Sequence, residues 1–195
     1  MDGANNPSFP SLRALQRLSL AVIAMVDGSG MPGARYGVSV SPQVTGTSMK
    51  SPADFLVFTV RQAREAEAFG FTRNECCRNL KTALHQHWQH KTMGLHGQAM
   101  KPKIPRSRGA QGRPLSECIV EHAVPQMAIV NWLMELDPLT NESVEALLRR
   151  YFTVMLVTEE EHARLNASGL RSIMPPDWDG ENVFARYDAV GIEYA

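Results

Sequence analysis

IVEHAVP at 119–125 and YFTVMLVTEEEHARLNASGL at 151–170 are the stretches on which the reading of this chain turns. The first extends back to Leu115 as LSECIVEHAVP and reads as a strand. Ile119 and Val120 are β-branched, an acid–histidine pair follows, and Pro125 has no amide N–H to continue a ladder. In the second, Tyr151 to Val157 is apolar, aromatic and β-branched, which is strand composition again. Thr158 then caps a helix with Glu159, Glu160 and Glu161 in its first turn, where the helix dipole favours acid. His162 and Leu165 follow, and the helix ends before Gly169. Two helices stand between the strands. Gln126 to Leu136 turns Ile129, Leu133 and Leu136 inward, and Thr140 to Arg149 has Thr140 as cap and Leu147 and Leu148 as buried residues.

The chain on the N-terminal side has a different texture. Residues 1–51 are rich in Gly, Ser, Pro and Asn around one apolar island from Leu12 to Val26, with at most a short strand near Tyr36 to Val40, and form a loosely packed segment. Residues 52–90 form a helical region. Ser51 precedes Pro52 at a first helical position with Asp54 three residues on, and Gly70 stops the helix near Phe69. Thr72 and Glu75 make a second capping box, and Cys77, Leu80, Leu84 and Trp88 recur at helical spacing to about Gln89. Residues 91–114 are a connector with six basic residues and no acid, broken by Pro and Gly. Residues 115–195 hold the strand pair, its helices, and an irregular tail from Ser172 packed by Trp178, Phe184 and Tyr187.

Twenty basic and twenty acidic residues cancel over the whole chain, but not over its halves. Residues 1–114 carry fifteen Lys and Arg against six acids, and residues 115–195 carry five against fourteen. A basic half is the electrostatic footprint of a polyanion binder, and an acidic half suits a second, protein partner. Cys76, Cys77 and Cys118 make neither a disulfide framework nor a paired-thiolate zinc site. MDGANNPSFP has no basic segment of a secretory signal, and no apolar run is long enough to span a bilayer. The expectation is a reduced, cytoplasmic, soluble protein without membrane contact.

The order strand with Glu121-His122, second strand, helix with His162 resembles the HNH, or ββα-metal, nuclease family. The resemblance rests on IVEHAVP at 119–125 and VMLVTEEEHARLNASGL at 154–170. It implies an α+β fold: a helical N-terminal half, then a ββα-metal (HNH-like) motif with a helical insertion between its two strands. It also implies a metal-dependent endonuclease acting on DNA with one divalent ion, Mg²⁺ first, with Mn²⁺ or Zn²⁺ as substitutes. Glu121 and His162 would be the metal ligands and His122 the general base. For the middle Asn of the family name, Asn141 at the start of the second inserted helix is better placed than Asn131 inside the first.

The residue types suit that chemistry. Phosphodiester hydrolysis needs a nucleophilic water, a base that is partly neutral near pH 7, and positive charge beside the phosphate. Imidazole meets the second need and a divalent ion the third. Lys101, Lys103, Arg106, Arg108 and Arg113 lead into the candidate strand and would track the DNA backbone. His85, His87 and His90, with His96 beyond, form a second cluster without acid or thiol neighbours, better suited to surface or phosphate contacts than to a metal. Two blander readings stand beside these. Glu121-His122 also fits an ordinary strand end, and His162 a solvated helical histidine. The alternative function is a nucleic-acid- or protein-binding regulator of a mobile-element or defence system, on the same scaffold without turnover.

Overall fold

The capping residues named above do their work at the helix ends. In the computed structural model, which describes residues 51–94 and 98–194, Ser51 and Asp54 close a capping box on α1 (Pro52–Phe69), and Gly70 ends that helix at φ 112°. Only glycine holds such a left-handed angle without steric cost. Thr72 and Glu75 form the same box on α2 (Arg73–Ala83). Beyond Ala83 the structure departs from the single α-helix expected. Leu84–Thr92 is a π-helix, whose wider turn puts Leu84, Trp88 and Gln89 inward together. The apolar island at 12–26, the strand near 36–40 and His96 lie outside the described residues.

After two short 3₁₀ turns, Gln98–Lys103 and Leu115–Glu117, comes β1 (Cys118–His122). The inserted helices are α3 (Gln126–Glu135) and α4 (Asn141–Tyr151), followed by β2 (Val154–Thr158) and α5 (Glu159–Ala167). A four-residue helix, α6 (Ala185–Asp188), lies in the C-terminal segment. The second strand starts later than its apolar composition suggests, because Tyr151 completes α4 and packs against Trp132. The fold is α+β: helices around a small antiparallel sheet in which Glu121 stands opposite Met155 and His122 opposite Val154.

That sheet separates two apolar clusters. On one side Cys118, Val154 and Leu156 join the helical layer of Leu56, Leu80, Leu84, Ile129, Leu133 and Leu148. On the other, Met155 and Val157 meet Leu165, Leu170, Tyr187 and Ile192. Each fully buried aliphatic side chain stabilises the fold by about 1.5–3 kcal/mol, so both faces are held by packing. Arg64 fastens the helical layer from α1, donating to the carbonyls of Leu133, Met134 and Leu136 at the end of α3.

The basic connector is built into the sheet. Leu156 N donates to Pro105 O at 2.8 Å and Ser107 N to Leu156 O at 2.8 Å, so residues 105–107 run parallel to β2. Ser107 also bridges antiparallel to Tyr194. Ile104, Ser107 and Ala110 are buried, and this inward spacing of small or apolar side chains is what seats the segment. Cys76, Cys77 and Cys118 are buried free thiols. Among the described residues no helix is long and apolar enough to cross a membrane.

Candidate functional site

Successive side chains of a strand project to opposite faces, and this alternation sorts β1. Cys118 and Val120 face the helical layer and Ile119 the second cluster, so Glu121 falls on the α5 side and His122 on the helical side. His122 packs edge-on against Phe152 at 5.1 Å between ring centres, and its Nε2 is buried without a hydrogen-bond partner among the described residues. Burial pushes the pKa of His122 down to about 4, against a weaker opposing pull from the Glu121 charge. It is therefore neutral at pH 7, and it projects from the face opposite the one that holds Glu121.

On the α5 face, Glu121 and His162 meet although they are 41 residues apart: Glu121 Oε2 lies 3.0 Å from His162 Nδ1. The start of α5 is tied down to make this meeting reproducible. Thr158 Oγ1 accepts from Glu161 N at 3.1 Å, and Glu161 Oε2 accepts from Thr158 N at 2.8 Å and from Ser107 Oγ at 2.5 Å. Glu161 is buried, and a Cβ at Gly109 would stand 2.5 Å from its Oε1, so the connector fits closely over it. His162, in the next position of the helix, is partly exposed.

The other oxygen of Glu121 belongs to Arg186. This side chain is fully buried in α6, and Nη2 donates to Glu121 Oε1 at 2.6 Å and to His122 O at 2.6 Å. Nε donates to Ala123 O, and Nη1 to the carbonyls of Leu170 and Arg171. Five hydrogen bonds thus fix one guanidinium between the end of β1, the turn after α5, and α6. The Tyr187 hydroxyl is buried on the same side without a hydrogen-bond partner among the described residues, and burial, then the Glu121 charge, raises its pKa.

Glu121 and His162 hydrogen-bond each other, and a small octahedral cation could take up this pair only in place of that bond. Adjacent ligands at about 2.1 Å from such an ion lie about 3.0 Å apart, the separation of Oε2 and Nδ1. The donor set, one carboxylate oxygen and one imidazole nitrogen, suits Mn²⁺ better than Mg²⁺, because imidazole is the softer ligand. Among the described residues no third His, Cys, Asp or Glu joins the pair, so water would complete the shell.

Other residues singled out from sequence lie apart from the pair or are engaged elsewhere. Asn141 Nδ2 donates to Asp54 Oδ1 at 2.6 Å and joins α4 to α1, on the helical side. Lys101 Nζ donates to the carbonyls of Leu115 and Cys118, and Arg106 Nη1 to those of Ala110 and Arg113. Arg108 pairs with Glu193 at 2.7 Å, and Arg113 lies 3.9 Å from Glu117 and 4.0 Å from Glu160. Lys103 is exposed. In the π-helix, His85 bonds Gln89 and contacts His90 ring to ring, while His87 stacks on Phe55 at 3.8 Å.

Sequence reasoning passes over Arg186, Ser107 and the pinned role of Glu161. Glu161 had a signal, since it stands three residues after Thr158 as a capping-box acid should. Arg186 had none: an arginine in an irregular tail finds its carboxylate only through tertiary contact. Comparison with known proteins adds no relative, since no protein-family model, curated protein or solved structure matches the chain.

Proposed function

We propose that this chain is a divalent-metal-dependent endonuclease acting on DNA, with a ββα-metal arrangement formed by β1, β2 and α5. The observation that carries the proposal is the Glu121–His162 pair, 3.0 Å apart between the end of β1 and the first turn of α5. Glu121 Oε2 and His162 Nδ1 would hold the ion, with His162 in its neutral form. When bound, the ion supplies positive charge beside the scissile phosphate and lowers the pKa of its water. Arg108, Arg113 and Lys103 provide exposed cations for the backbone, the first two by exchanging surface carboxylate partners for phosphate. Such exposed ion pairs are worth little, so the exchange costs little. His122 has no step in this proposal, because it projects from the opposite face.

A second reading is favoured by one observation of its own. Arg186 already neutralises Glu121 with a buried guanidinium, as expected of a scaffold that binds nucleic acid or protein without turnover. The exposed acids of the C-terminal half would then serve a protein partner. One assay separates the two. Full-length protein is incubated with plasmid and Mn²⁺ or Mg²⁺, with and without chelator, beside Glu121→Gln and His162→Ala. Cleavage that needs metal and is lost in both variants supports the nuclease. Retarded DNA that stays intact in every condition supports the binder.

A further inference from the structure

The outer face of α1 is aromatic where a solvated helix would be polar. Phe55, Phe58, Gln62, Glu65 and Phe69 recur in steps of three and four, and all five are exposed. They therefore form one stripe about 21 Å long. Phe69 is 85% exposed, and Phe71, just past the helix, stacks on it at 6.2 Å between ring centres. At the other end Phe55 and Phe58 lie 6.4 Å apart, and a groove of about 630 Å³ opens beside them against Val57, Thr140 and Asn141. The rim is acidic, with Asp54, Glu65 and Glu142 against Arg61. Contiguous exposed apolar surface of this kind marks a place where something binds.

We propose that the apolar island Leu12–Val26 of the same chain packs along this stripe and its groove. Residues 1–50 lie outside the described structure and join it at Ser51, the cap of α1, one turn before Phe55. The island's only charges are Arg13 and Arg17, opposite in sign to the excess on the rim. Leu15, Leu18, Val22 and Met25 recur in the same steps of three and four as the stripe, the spacing at which two helical faces interlock. Fifteen residues at that spacing also match the stripe in length, at about 22 Å. The 24 residues between Val26 and Ser51 reach about 80 Å when extended, enough for the island to lie along α1 in either direction. A tether keeps the island at an effective concentration on the order of millimolar, so it outcompetes a second copy of the chain in dilute solution.

The test is photo-cross-linking within the full chain. A benzophenone amino acid is placed at Phe58, at Phe69 and, as a control, at Ile173, an exposed apolar position outside α1 and its groove. Irradiation of dilute protein should join the probes at Phe58 and Phe69 to residues 12–26 of the same chain, in adducts of monomer mass. The probe at Ile173 should not reach them. Leu18→Asp combined with Val22→Asp should cut both yields at least about tenfold, because an unpaired carboxylate is not buried against phenyl rings. Adducts mainly between chains would assign the stripe to a second copy and overturn the inference. Labelling of 12–26 equally from Ile173, or undiminished by the two aspartates, would also overturn it, since that is a tether colliding at random. So would the absence of any adduct to 12–26. Should the double variant not fold, the contrast between the α1 probes and Ile173 with the island intact decides alone. None of these outcomes bears on the metal reading, which the inference does not use.

Discussion

Glu121 and His122 are adjacent in sequence and stand in opposite environments. On the α5 face, Glu121 is met by a guanidinium at 2.6 Å and an imidazole at 3.0 Å. On the helical face, His122 is packed on Phe152 with an orphaned Nε2, and is held neutral. One face therefore stores a compensated charge, and the other excludes charge. In this strand the pleat separates the acid from the histidine, so the two neighbours in sequence do not share a site. Two residues distant in sequence, His162 and Arg186, become the working neighbours of Glu121.

The comparison breaks most severely at Arg186. Replacing it with Met should cost about 3–5 kcal/mol, since Glu121 is left half-buried without its cation and several carbonyls lose their donor. Urea denaturation reads this directly. A loss under 1 kcal/mol would mean that water replaces the guanidinium freely and that the α5 face is not a closed network.

The helical face is tested by pH. His122 takes up its proton near pH 6.5 when unfolded and near pH 4 when folded. Its contribution to stability is therefore present above pH 6.5 and is lost as pH falls toward 4. The loss should reach up to about 3 kcal/mol over that window. In His122→Leu, which keeps an apolar side chain against Phe152, the melting temperature should fall less over the same range. Parallel pH profiles for the two proteins would show that His122 is not the group being excluded.

A smaller effect sharpens the picture of the α5 face without touching the pair itself. Gly109→Ala places a Cβ against Glu161 Oε1, and Glu161 has little freedom to retreat because Ser107 and Thr158 hold its other oxygen. The expected cost is about 1–3 kcal/mol, by overpacking. A melting temperature equal to wild type would show that the connector rides loosely over α5. The mildest change is Thr158→Ala, which removes the N-cap of α5 and should cost about 1 kcal/mol. Thermal melts check this, and a melting temperature equal to wild type would show that the cap adds nothing to α5.

Much of the architecture was legible because its signals are local. Ser51, Thr72, Thr140 and Thr158 each bond a backbone amide three residues on, so the four helix starts they mark could be read from spacing alone. The order of strands and helices through 118–167 follows from composition and period in the same way. The π-helical turn at Leu84–Thr92 was not legible, since it depends on how Trp88 and Gln89 seat in the helical layer. Nor was the fate of the basic connector. Its charges suggested a free arm, yet Ile104, Ser107 and Ala110 draw it into the sheet and commit Lys101 and Arg106 to backbone carbonyls.

By itself, the amino-acid sequence determined where the helices begin, which segments become strands, and that Glu121 and His162 would sit at a strand end and a first helical turn. Caps, turns and periodicity act over three or four residues, and their physics is complete within that span. Tertiary structure alone decided what each ionisable group faces. The pleat turned His122 away from Glu121, and folding of the C-terminal segment carried Arg186 to a carboxylate 65 residues earlier in the chain. Those outcomes depend on which faces pack together and on charges that are paired only when burial removes water.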